Sequence, residues 1–110
     1  MNTPKENITS LIHDIQQWDV FPIPHDVRLQ CDRTLRALET GANLKVQFIL
    51  LAHVLGPIGP QGGNSVQKVF YYRFTLAYLD YSENVLGEPL QDHEVLLRNS
   101  ALEGLRHNLH

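Results

Sequence analysis

The sequence predicts an all-α protein, a compact single-domain bundle of about five helices with a Gly/Pro-rich loop between the third and fourth. Three observations lead there. Apolar residues recur at helical spacing in successive segments, most of those segments open on a residue suited to capping, and Gly or Pro clusters punctuate the chain between them. The 110 residues, 43% of them hydrophobic, fall within the usual size of one domain. A chain of that length can bury a core without disulfides or metal.

The first helix starts at Thr3-Pro4-Lys5-Glu6. Thr3 can cap it, Pro4 fits the first helical position, and Glu6 lies three residues on, as in a capping box. Ile8, Leu11, Ile12, Ile15 and Trp18 then share one face. Phe21-Pro22-Ile23-Pro24 reads as an extended connector, because each proline restricts the residue before it. A second helix runs from about Asp26 to Thr40 and stops at Gly41. Val27, Cys31, Leu35 and Leu38 form its apolar side, and Arg28, Asp32 and Arg36 make a charge ladder on the other.

Asn43 can cap a third helix, Leu44 to Leu55, which is apolar nearly all round and so reads as the central buried element. A short buried strand is the alternative for this segment. Gly56-Pro57-Ile58-Gly59-Pro60-Gln61-Gly62-Gly63-Asn64, with four Gly and two Pro in nine residues, is a shaped loop. Val66 to about Tyr81 fits two periods. Helical spacing joins Val66, Val69, Phe70, Phe74, Ala77 and Tyr81, while alternation joins Phe70, Tyr72, Phe74, Leu76 and Tyr78. Sixteen residues without a turn signal is long for a strand, so helix is the reading. Gly87-Glu88-Pro89 breaks the chain, and Asp92 can cap a last helix to about Asn108 in which Gly104 is a weak point.

Composition excludes several functions. Cys31 is the single cysteine, so a disulfide-built scaffold is out. A net charge of −3 argues against nucleic-acid binding or an anionic membrane surface. The strongly apolar run Val46 to Leu55 is half the length that spans a bilayer, and the N-terminus lacks the pattern of a secretory signal. The expectation is a soluble cytoplasmic protein without membrane insertion.

Catalytic and metal signatures are weak. The six histidines form no H-E-x-x-H, and Glu103 and His107 are the one pair at shared-face spacing. The serines lack a nucleophile-elbow context, Cys31 lies on an apolar side, and the Gly-rich loop lacks a P-loop ending. No cofactor, metal or catalytic residue is therefore assigned. His53 stands within the most apolar helix, where its ring needs a core partner or a cavity. Phe70, Tyr71, Tyr72, Phe74, Tyr78 and Tyr81 crowd twelve residues and cannot all share one helical face. With Phe70 and Phe74 in the core, Tyr71, Tyr72 and Tyr78 would line another surface suited to a partner. A wide core helix between two layers would use the same residues.

The expected function is a small protein-binding module (regulator, adaptor or assembly factor), partnered by another protein or by itself as a homodimer through the aromatic helix. The alternative is a carrier of a small hydrophobic ligand held between the third and fourth helices near His53.

Overall fold

The computed structural model describes residues 3–17, 25–56 and 65–108. Five helices follow in chain order: α1 (Pro4–Gln16), α2 (His25–Thr40), α3 (Leu44–Leu55), α4 (Ser65–Asn84) and α5 (Asp92–Asn108), with no strand among the described residues. The ambiguous aromatic segment is helical, and four residues longer than its pattern suggests. Trp18, the Phe21–Pro24 connector and residues 57–64 of the Gly-rich loop lie outside the described residues.

Local chemistry explains most boundaries. Thr3 takes an extended conformation and its hydroxyl oxygen accepts the Glu6 amide at 3.1 Å, while the same hydroxyl donates to the Glu6 carboxylate at 3.0 Å. Gly41 ends α2 at φ 77°, a left-handed conformation that costs glycine nothing. Asn43 stands at the cap of α3 but in the left-handed region, φ 55°, and its side chain makes no capping bond. The tight turn from Gly41 sets that geometry in place of the capping bond the sequence suggests. Nor is Asp92 the cap of α5. It is the first helical residue, and the Gln91 amide donates to Glu94 Oε1 at 3.2 Å, the carboxylate half of a capping box.

The helices pack as a ring, α1 on α2, α2 on α3, α3 on α4 and α4 back on α1, with α5 laid on α4. The central element is therefore α4 rather than α3. Phe74, Thr75, Ala77, Tyr78, Leu79, Tyr81 and Ser82 are all buried, and together they take more than half the circumference of α4, leaving Arg73, Asp80 and Glu83 on the exposed side. By contrast α3 meets only α2 and α4, burying Leu44, Phe48, Leu51 and Leu55 at helical spacing and leaving its opposite side in solvent. An all-apolar helix reads as central from sequence because its pattern cannot say how many neighbours it has.

Phe48 is fully buried and reaches three rings of α4: Phe74 at 6.4 Å, Tyr78 at 5.9 Å and Tyr81 at 5.6 Å between centroids. Two of these contacts are edge-on, the arrangement that aromatic quadrupoles favour. Ile8, Ile12 and Ile15 bring the buried face of α1 to the same core. A polar seam joins α2 to α3. Gln30 Nε2 donates to Gln47 Oε1 at 2.8 Å and Thr34 Oγ1 donates to the Gln30 carbonyl at 2.8 Å, with Gln30 and Thr34 both buried. At the end of α1, Arg28 donates to the Gln16 carbonyl at 2.8 Å and Gln16 to Asp32 at 2.7 Å. Two members of the charge ladder thus hold α1 against α2.

Gly104 has a packing reason that helix propensity conceals. A Cβ on it would fall inside the surface of the Tyr72 ring, which lies across α5 at that point. Gly104→Ala should gain about 1 kcal/mol from propensity alone. It is instead expected to destabilise the protein, and to show its gain only in a Tyr72→Ala background. Urea unfolding of the four proteins in that cycle is expected to give a coupling of about 1–2 kcal/mol.

Cys31 is fully buried, and burial pushes its thiol up to about 12. At pH 8 the thiolate is then about one part in ten thousand. Alkylation followed by mass spectrometry is expected to track unfolding of the whole protein, and to become fast only in denaturant.

Candidate functional site

The residues that the sequence singles out do not come together. Tyr78 is 5% exposed and packs on Phe48 and Phe74, so it belongs to the core rather than to a partner surface. Burial, with the Glu94 carboxylate and Tyr71 nearby, pushes its phenol up to about 12. Tyr71 and Tyr72 are half-buried and meet edge-on at 5.7 Å. Tyr71 leans on the core and its phenol is raised by burial, while Tyr72 is held over Gly104. The aromatic density of α4 thus serves its place at the centre of the bundle, where three helices pack on it.

His53 is exposed. It lies on the solvent side of α3, away from the buried positions Phe48, Leu51 and Leu55, so its ring needs no core partner. The rings around Phe48 fill the inner part of the seam between α3 and α4. Glu103 and His107 do pair, at 3.2 Å, on an exposed turn where Arg106 also reaches Glu103 at 3.3 Å. Among the described residues no three His, Cys, Asp or Glu side chains group as a metal site would require. Nor is any helix among them long and apolar enough to cross a membrane.

What the fold does assemble is an uncharged helix face beside a polar hollow. Val46, Ile49 and Leu50 are 53%, 52% and 43% exposed, and His53 continues the same stripe one turn on. Lys45 is the only charged residue in α3. It turns from the stripe to donate to Glu88 at 2.7 Å and lies 3.7 Å from Glu94. Both carboxylates hold its ammonium above the usual lysine range, the Glu88 hydrogen bond most of all. Ile49 is shared between the stripe and a hollow of about 370 Å³ that Lys45, Tyr78, Gln91, His93 and Glu94 complete. The Lys45 ammonium thus meets two carboxylates, of which Glu94 lines the hollow and Glu88 lies outside its lining.

Sequence reading misses this surface for a definite reason. Its members Val46, Ile49 and Leu50 look like core, and the Lys45 partners are 43 and 49 positions away in the chain. One signal was present: the 46–49–50–53 stripe ends on His53, a side chain at ease in water, whereas the 44–48–51–55 stripe has no polar member.

The triad of Lys45, Glu88 and Glu94 fixes the approach of the α4–α5 connector to α3. Glu94 is buried and Glu88 half exposed, so the two partners differ in weight. Lys45→Met is expected to cost about 1–2 kcal/mol, because it strips a buried carboxylate of its cation. Glu88→Gln is expected to cost under about 1 kcal/mol, as for an exposed pair. Chemical denaturation of both variants at neutral pH checks the ranking.

No protein-family model, no curated protein and no solved structure matches this chain.

Proposed function

We infer that the chain is a protein-binding module whose contact surface is the outer face of α3. The observation that carries the reading is the exposed stripe of Val46, Ile49 and Leu50, three large aliphatic side chains adjacent on one helix and free of charge. Single exposed aliphatics are ordinary, but a contiguous set with a concave polar neighbour is the make-up of an interface: apolar centre, polar rim. An amphipathic partner helix or a complementary sheet face would bury the stripe, and its side chains would reach the hollow beside Ile49. The face differs from the tyrosine surface that the sequence suggested, while the class of function is the same.

A photo-crosslinking residue in place of Leu50 tests this in cells. It is expected to capture a polypeptide in a band absent when the same group replaces Arg36 or Glu83. Equal labelling at all three positions, or none at Leu50, would overturn the reading. Because Leu50 is exposed, the substitution is expected to leave thermal stability within about 0.5 kcal/mol.

A further inference from the structure

We propose that the partner of this face is a second copy of the chain, docked with the two α3 helices antiparallel about a two-fold axis between Ile49 and Leu50. The proposal rests on the binding-module reading and adds the identity and orientation of the partner.

Two properties of the face argue for it. The first is self-complementarity. The stripe 46–49–50–53 reads the same spacing from either end, so an antiparallel copy sets Val46 against His53 and Ile49 against Leu50. The centre of such a contact is wholly aliphatic, and with Lys45 turned to its carboxylates no like charges meet there.

The second is that the two ends differ in electrostatic character. Near the start of α3, Lys45 is outnumbered by Glu88 and Glu94, and the hollow that Lys45, Glu94 and His93 help to line opens beside Ile49. Toward its end the stripe finishes on His53, which is exposed and offers a ring N–H donor or, when protonated, a cation. An antiparallel pair brings His53 of each copy to the acidic end of the other, twice per dimer. A parallel pair would set acidic end on acidic end and His53 on His53. Charge complementarity therefore selects the antiparallel arrangement, since unlike ends attract and like ends repel.

Sedimentation equilibrium on the whole chain at about 0.1 mM separates the outcomes. The wild type is expected to be a dimer. Leu50→Glu is expected to raise the dissociation constant at least about 100-fold, by placing two carboxylates at the two-fold axis. Leu96→Glu, on an exposed position of α5, is expected to leave it unchanged. His53→Glu is expected to weaken the dimer about tenfold, and His53→Lys to hold or tighten it. Circular dichroism confirms that each variant keeps its helices. Orientation is read from an oxidised equimolar mixture of Val46→Cys and His53→Cys chains. Antiparallel docking gives the mixed disulfide, parallel docking the two like disulfides.

A wild-type monomer at this concentration, dissociation by Leu96→Glu but not Leu50→Glu, or a preponderance of like disulfides would overturn the proposal. If the wild type is monomeric while the crosslinker at Leu50 captures a protein of another mass, self-association fails and the binding-module reading stands.

Discussion

The bundle depends on one constraint: α4 must be covered by three other helices, α1, α3 and α5. Its buried residues include two tyrosines as well as a phenylalanine and a threonine, and Arg73, Asp80 and Glu83 hold the side that stays in water. Phe48 meets that demand from α3, Ile8, Ile12 and Ile15 from α1, and α5 lies along the rest. The phenol groups of Tyr78 and Tyr81 allow α4 to be central without being wholly apolar. Removing the Phe48 ring would open a void touching three aromatic neighbours, and losses of that kind are among the largest single-site effects in folded proteins.

Because α4 takes the centre, α3 is left with two unlike tasks on opposite sides of a twelve-residue helix. The Phe48 side is bound into the core. The Ile49 side makes no such contribution, so surface chemistry there can change while the fold persists. The proposed contact surface and the core are separable on this helix because different residues carry them. On α4 they are not: a change at Tyr78 touches Phe48 and Phe74 at once.

Local signals in the sequence are legible where the physics is local. Thr3, Pro4 and Glu6 form the start of α1 as their types suggest, and Gly41 ends α2 by its left-handed backbone. Asn43 and Gly56 flank α3 where the sequence places its ends, although Asn43 does so without a capping bond. What is not legible is the number of neighbours each helix has, and that quantity separates core from surface. His53 and Gln47 show the difficulty. Both interrupt an apolar run, yet Gln47 turns inward to accept from Gln30 and His53 turns to water. Tyr78 is ambiguous for a related reason: its hydroxyl suggests an edge, whereas its ring packs on Phe48 and Phe74. Lys45 meets Glu88 and Glu94 through tertiary structure alone, with no periodic trace in the chain.

The Gln30–Gln47 seam has a further consequence for how the helices find their alignment. An aliphatic surface is tolerant of sliding: leucine meets leucine whether α3 advances by one turn along α2 or not. A primary amide donating to another amide oxygen is not tolerant, because a shift of one turn would separate the pair and bury both groups unpaired. The seam acts as a key for registration, a role that buried asparagine plays in coiled coils. It also ties the two sides of α3 together. The position of Gln47 against Gln30 fixes the helix along its axis, and the same alignment determines where Ile49 and Leu50 stand on the outside.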